Sequence, residues 1–157
     1  MDKVNIYLAT HHKGFGRAVG YHMELLVAVT EDGEEREDTA RENPIDSRRV
    51  ENVTENRLAA IGLMEALKRL KKSCDINILT DNSYLSNCIN NKWIDVWIKN
   101  GFKNGKGKPV KNADIWMAIG TMIQKHLVEV DYIGKRKLKY YDWQKAELRR
   151  QAKNEEV

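Results

Sequence analysis

Short apolar and alternating runs along the chain predict a sheet of five strands. Three strands are expected in the first 41 residues, at Val4–Ala9, Tyr21–Val29 and Arg36–Arg41, and TEDGEE carries the Asp-Gly signature of a hairpin turn between the last two. The runs INILT and LVEVDYI predict a fourth and a fifth strand later in the chain. The segment ENPIDSRRVENV shows no such pattern, so we expect it to be irregular.

Apolar residues at helical spacing predict four helices. In TENRLAAIGLMEALKRLKK, Thr54 can cap the start, apolar residues recur from Leu58 to Leu70, and lysines collect at the end. Further helices are expected over Ser83–Asn90, in NADIWMAIGTMIQKH and at about Tyr141–Lys153. Strands mixed with helices in this order indicate an α/β fold, a five-stranded mixed sheet with helices on both faces.

Composition limits the class of protein. The 157 residues, 41% apolar and 32% charged, are enough to bury the core of one domain, ordered over about residues 4–153. No apolar run approaches the roughly 20 residues of a membrane span, and no signal peptide opens the chain. Cys74 and Cys88 are isolated, which argues against a zinc site or a disulfide framework. We therefore expect a cytoplasmic protein of one domain.

Charge is distributed unevenly along the chain. Between Glu31 and Glu55 there are ten acids against four arginines, whereas the lysine-rich segment, Val96–Ala113, has five lysines and no acid. Such asymmetry is typical of proteins with an anionic partner, nucleic acid first among them, although a merely solvated surface has the same composition. The five lysines are Lys99, Lys103, Lys106, Lys108 and Lys111.

Tryptophans border the lysine-rich segment. Trp93 and Trp97 are four residues apart, so they share one face of a helix. Aromatic rings with lysines between them suit a sugar-phosphate backbone. Packing in the core is the alternative for both rings, and it is what we expect of Trp116.

Asp81 is the first candidate for chemistry. It directly follows the strand INILT, and the carboxyl ends of strands are where ligands and metals bind in α/β sheets. Because Mg²⁺ needs several oxygen ligands around one point, Asp81 requires acidic partners to form a metal site.

Several segments resemble type 1 ribonuclease H, the enzyme that cuts RNA in RNA–DNA hybrids. KGKPVKNADIW is similar to the family's Lys-Pro-Val-Lys-Asn…Asp-Leu-Trp segment, TENRLAAIGLMEALKRL and ILTDNSYL to its first helix and acid-bearing strand, and GYHMELLV to its second strand. The resemblance covers Val4 to about Ala152. It implies a ribonuclease H-like fold whose lysine-rich segment is a basic protrusion that grips the hybrid. It also implies polar contacts to the nucleic-acid backbone from Thr54, Asn56 and Ser83.

The resemblance also implies a site of four carboxylates holding two Mg²⁺ ions, and most of these acids are replaced here. Asp81 matches the acid of the fourth strand. The acid positions of the first strand, the first helix and the last helix hold Ala9, Ala59 and Ala146, and the loop GKRKLKYY lacks the family's histidine. Asp81 is then the remnant of the acidic site and at most a weak metal ligand.

Other acids offer an alternative site. Glu55 lies one helical turn before Ala59, and Asp142 lies one turn before Ala146. If the final loop is shorter than the resemblance implies, Asp142 takes the acid position of the last helix. Neither replaces Ala9, and both also suit the positive end of a helix dipole. His11 and His12 are adjacent on an extended chain, so they point to opposite faces and are not expected to share a metal ion.

We therefore expect a ribonuclease H-like protein that recognises RNA–DNA hybrid or double-stranded RNA by backbone shape and has lost hydrolytic activity. One alternative is an active ribonuclease H with a rearranged acidic site, which would need Mg²⁺ or Mn²⁺; otherwise no cofactor is expected. A second alternative is a protein-interaction module whose lysines only keep it soluble. The sequence leaves the preferred duplex and the oligomeric state open.

Overall fold

The structure, a computed structural model, describes residues 1–42 and 47–155. None of the helices in these two ranges is long and apolar enough to cross a membrane. In chain order the elements are β1 (Asp2–His12), β2 (Ala18–Val29), α1 (Glu37–Glu42), β3 (Ser47–Val53), α2 (Glu55–Lys68), β4 (Cys74–Thr80), α3 (Ser83–Asn90), α4 (Trp93–Asn100), α5 (Ala113–Ile123), β5 (Leu127–Tyr132) and α6 (Lys139–Glu155).

The five strands form one mixed sheet in the order β3-β2-β1-β4-β5. Strand β1 is antiparallel to β2 and parallel to β4, and β5 runs parallel to β4. The predicted five-stranded mixed sheet is therefore confirmed. The β1–β4 register pairs Tyr7 with Leu79, and continuing it by two residues places Ala9 level with Asp81. These two positions thus meet at the carboxyl edge of the parallel strands.

Helices cover both faces of the sheet, as the α/β pattern predicts. Side chains alternate along β1, so Ile6 and Leu8 belong to the apolar layer beneath α2, whereas Tyr7 and Ala9 belong to the layer beneath α6. All four are buried because β1 is central and covered on both sides. This packing fixes the direction in which each side chain at the end of β1 points.

The predicted strand at Arg36–Arg41 is wrong, because helix α1 begins at Glu37. The Asp-Gly turn itself does form, with the Gly33 amide donating to the Thr30 carbonyl at 2.9 Å. The hairpin does not continue beyond a single bridge, and two acids in the first turn of α1 favour a helix there instead.

The segment ENPIDSRRVENV is also not irregular throughout. Its last seven residues form β3, an edge strand that pairs only with β2 among the described strands; residues 43–46 lie outside the described residues. Most of β3 is exposed, so it lacks the apolar alternation that identifies a half-buried strand. That is why its sequence pattern predicts no strand.

Candidate nucleic-acid interface

Asp81 lies at the carboxyl edge of the sheet with its side chain exposed. The next residue, Asn82, caps α3: its side-chain oxygen accepts the Leu85 amide at 2.9 Å, and its own amide donates to the Thr80 hydroxyl at 3.3 Å. These bonds hold the turn after β4, in which Asp81 is exposed.

The three positions where the resemblance places further acids carry only methyl groups, and one of them, Ala9, is level with Asp81 in the strand register. Ala9 and Ala59 are fully buried, Ala9 in the apolar layer beneath α6 and Ala59 in the layer beneath α2. Ala146 is exposed on α6. No side chain at these three positions can ligate a cation.

The alternative acids do not rebuild the site in the structure. Glu55 and Asp142 are exposed in the first turns of α2 and α6. Within residues 1–42 and 47–155, no group of three His, Cys, Asp or Glu side chains is placed to hold a metal ion. The residues present therefore do not fit a two-metal centre, even when both alternative acids are counted.

The ammonium group of Lys145 lies close to the end of β1. The Lys145 ammonium donates a hydrogen bond of 2.6 Å to the carbonyl of Thr10, the residue that follows Ala9. The Tyr141 side chain, one turn earlier on α6, lies beside Asp81; burial, and then the Asp81 carboxylate, raise the pKa of the Tyr141 hydroxyl. A fixed positive charge here disfavours Mg²⁺ and favours an anion. Sequence spacing did not identify either residue.

Two helices begin near this edge. The Thr54 hydroxyl caps α2 by accepting the Arg57 amide at 3.2 Å, which confirms the predicted cap. Asn56 and Ser83 are exposed in the first turns of α2 and α3. Free amides at helix starts attract anions, so the predicted polar contacts occupy a chemically suitable place. Their contact with a nucleic-acid backbone stays a prediction.

The lysine-rich segment is tied to the start of α2. Arg57 forms two hydrogen bonds to the Asp114 carboxylate, of 2.9 and 2.6 Å, and reaches the Asn112 side-chain oxygen at 3.4 Å. The Arg57 guanidinium lowers the pKa of Asp114 to about 2. This pair orients the end of the segment relative to α2, and it joins the two parts of the interface.

The five lysines of the segment are all exposed. None of their ammonium groups forms an ion pair with a carboxylate in the described part of the chain. The loop that carries three of them is ordered, because the Asn104 side chain accepts the amides of Lys106 and Lys108 at 2.9 and 3.1 Å. A bridge between Lys103 and Pro109 closes this loop. The segment thus presents unpaired cations on a defined backbone.

The tryptophans divide into exposed and buried rings. Helix α4 confirms that Trp93 and Trp97 share a face, with ring centres 6.4 Å apart. Trp97 also packs at 5.7 Å against Trp116, which is fully buried and donates to the Tyr84 hydroxyl at 2.7 Å. Core packing of Trp116 is confirmed, and Trp93, 43% exposed, is the more accessible ring for a ligand.

The two adjacent histidines diverge, as the extended chain requires. His11 lies against the Tyr21 ring, with centres 6.4 Å apart, whereas His12 bonds through Nε2 to the Val53 carbonyl at 2.6 Å. The Nδ1 atom of His12 meets the Gly14 carbonyl at 2.9 Å. His12 therefore ties the loop between β1 and β2 to the residue before the α2 cap, a link that no sequence motif indicated.

Comparison with known proteins agrees with this architecture. Residues 27–137 match the sequence profile of the RNase H family. The chain belongs to the ribonuclease H family. It is 41% identical over 80 residues to ribonuclease HI of Haemophilus influenzae, 51% of each chain, and 35% identical over 80 residues to ribonuclease H of Oleidesulfovibrio alaskensis, 51% of this chain and 52% of the relative. The chain thus spans about half the length of these curated relatives.

Solved structures of the family share the fold at low sequence identity. LC9-RNase H1, described as a type 1 RNase H with the type 2 active-site motif, has a TM-score of 0.67 and 19% identity over 92% of this chain and 69% of its own. The PFV RNase H domain has a TM-score of 0.66 and 16% identity over 95% of this chain and 91% of its own. The ribonuclease H-like fold is therefore confirmed.

Proposed function

We propose that this chain is a non-catalytic member of the ribonuclease H family that binds RNA–DNA hybrid or double-stranded RNA by backbone shape in the cytoplasm. The observation that carries the proposal is the composition of the carboxyl edge of β1 and β4. Of the four positions where the resemblance places acids, only Asp81 carries one, and the Lys145 ammonium binds the Thr10 carbonyl next to one of the replaced positions. The five lysines of the lysine-rich segment are all exposed.

The binding half of the proposal rests on charge and placement. The lysine-rich segment carries five ammonium groups and no acid, and the Arg57–Asp114 pair joins it to the capped start of α2. Phosphates of one strand can contact the lysines while those of another approach the helix starts. Recognition of this kind reads helical geometry rather than bases, as is typical for double-stranded RNA.

The salt dependence of binding tests this proposal. Changing Lys103, Lys106 and Lys108 together to Ala should weaken binding to a hybrid and lower the salt slope by about one unit per lost phosphate contact. Affinity is measured by fluorescence anisotropy over a series of salt concentrations, with hybrid and double-stranded RNA in parallel.

A matched control removes the same charge from the other end of the sheet. Lys71, Lys72 and Lys125 are exposed next to the starts of β4 and β5, at the amino edge of these strands. Changing these three to Ala should leave the slope near that of the unmodified protein. If both triple variants behave alike, or neither changes affinity, the lysine-rich segment only keeps the protein soluble and the binding proposal is wrong.

An active, metal-dependent nuclease is the second candidate, and the names of the relatives favour it. Two Mg²⁺ ions carry four positive charges, and the single carboxylate of Asp81 neutralises too few of them for tight binding. We therefore expect no cleavage of an RNA–DNA hybrid above background in Mg²⁺ or Mn²⁺. Cleavage by the purified chain that disappears in Asp81→Asn would establish the nuclease instead, with Glu55 and Asp142 the next acids to test.

A further inference from the structure

The loop between β1 and β2, residues 13–17, holds an aromatic ring in solvent. Phe15 is fully exposed, at 104% of its reference area, which is the largest exposure among the large apolar side chains of the described residues. Gly14 and Gly16 on either side have φ of +144° and +71°, and no heavy atom lies within 4 Å of either Cβ position. A fully solvated Phe contributes nothing to the core, so the ring is free to contact a ligand.

This loop is held in place at its base. His12, the last residue of β1, has its Nε2 atom 2.6 Å from the Val53 carbonyl oxygen and its Nδ1 atom 2.9 Å from the Gly14 carbonyl oxygen, and the one N–H of the neutral ring donates to one of them. Because Val53 directly precedes the Thr54 cap, the base of the loop lies near the start of α2, on the edge proposed to bind nucleic acid, and the Phe15 ring extends from it into solvent. Lys13 and Arg17 flank the two glycines in sequence. The loop thus combines one exposed ring with two cations.

We propose that Phe15 is a stacking site for an unpaired nucleobase, such as one at the end of a duplex or in a gap. This inference rests on the proposed binding of nucleic acid and extends it from backbone shape to a structural discontinuity. Bases inside a continuous duplex stack on one another and offer no free face, whereas an unpaired base does. Stacking on an aromatic side chain is tolerant of sequence, and adjacent cations favour the phosphates of the same strand.

Trp93 is the other accessible ring near the lysines, but it does not meet the same description. Its ring already contacts Trp97, and it is only 43% exposed. Phe15 is fully exposed, and its loop is anchored through His12 to Val53 rather than through the lysine-rich segment. The two rings are therefore separable by mutation.

The test compares two hybrids that differ in one feature. One is blunt-ended, and the other carries a short single-stranded overhang with 2-aminopurine as its first unpaired base. Phe15→Leu keeps apolar volume but removes the ring, and should bind the overhang hybrid about five-fold or more weakly while binding the blunt hybrid as before. It should also abolish the quenching of 2-aminopurine fluorescence that the unmodified protein produces. Phe15→Trp should retain both properties.

The control is Leu127→Ala, which removes a 60% exposed apolar side chain at the amino edge of β5 and should change neither binding nor quenching. Equal affinities of Phe15→Leu and the unmodified protein for the overhang hybrid, or an equal loss on both hybrids, would overturn the stacking site and leave duplex binding intact. Binding of neither hybrid by the unmodified protein would overturn the proposed function itself. Because Phe15 contacts no core residue, its replacement leaves folding unaffected.

Discussion

Placing acids at Ala9, Ala59 and Ala146 tests directly whether the side chains at these positions decide if the edge can bind Mg²⁺. The variant carries Ala9→Asp, Ala59→Glu and Ala146→Asp. Ala9 and Ala59 are 0% exposed, so two of the new carboxylates enter apolar layers, and Asp81, level with Ala9, has the same charge. An uncompensated buried charge costs on the order of 3–5 kcal/mol, whereas the change at exposed Ala146 costs little. Without metal, the variant should be clearly less stable than the parent.

Magnesium should reverse part of this loss only in the variant. A ligand that binds the folded state at 100 times its Kd adds about 2.7 kcal/mol to the free energy of unfolding. The parent, with Asp81 as the one acid at these four positions, should gain almost nothing from the same Mg²⁺. Adding Lys145→Ala to the variant should increase its response to Mg²⁺, because this change removes a nearby positive charge.

Urea denaturation followed by circular dichroism measures both stabilities, once with a chelator and once with excess Mg²⁺. The control carries Asn, Gln and Asn at the same three positions, so that side-chain size is matched without charge. Cleavage of an RNA–DNA hybrid is a second readout, and single reversions should restore little of it because metal ligands act as a unit. If the parent gains as much from Mg²⁺ as the restored variant, the argument from the missing acids is refuted.

Two carboxyls give further predictions with opposite dependence on pH. Arg57 lowers the pKa of Asp114 from its ordinary 3.8 to about 2. The pair therefore stabilises the fold fully above pH 3.8, and this stabilisation is lost as the pH falls through about 2. Because Asp114 is 64% exposed, Asp114→Asn should cost about 1 kcal/mol or less at neutral pH, measured by urea denaturation. Burial raises the pKa of Glu24 above 4.5, against a 2.6 Å hydrogen bond from His22 that lowers it. Its contribution to stability is therefore greatest below pH 4.5 and declines as the pH rises through the folded pKa, and Glu24→Gln should flatten that part of the stability–pH profile.

The elements that the sequence predicts well are those whose burial leaves a pattern. Strand β1 is covered on both faces, α2 has an apolar stripe and a Thr cap, and β4 ends at an acid, so their order and the meeting of Ala9 with Asp81 follow from spacing. Edge strand β3 is mostly exposed, and its residues carry no alternation that could identify it. Only elements that bury apolar side chains carry the regular spacing of apolar residues from which a helix or strand can be predicted.

The parts of the interface that sequence did not identify depend on contacts between distant residues. Arg57 and Asp114 are 57 positions apart, and Lys145 meets the Thr10 carbonyl across 135 positions. Each of these side chains looks like an ordinary solvated charge when read along the chain. Only the packing of α5 against α2, and of α6 against β1, turns them into a link and a fixed cation.

Two explanations account for an acid at position 81, and they differ in whether Asp81 needs further acids near it. As a metal ligand it needs partners, and the described residues provide no such group. As a neighbour of the buried Tyr141 it needs none, since burial and then the Asp81 carboxylate raise the pKa of the Tyr141 hydroxyl and keep the phenol neutral. The second explanation accounts for one retained acid among three alanines without invoking catalysis. It follows that loss of stability in Asp81→Asn alone would not indicate a metal site, and that only a response to Mg²⁺ or an Asp81-dependent cleavage distinguishes the two.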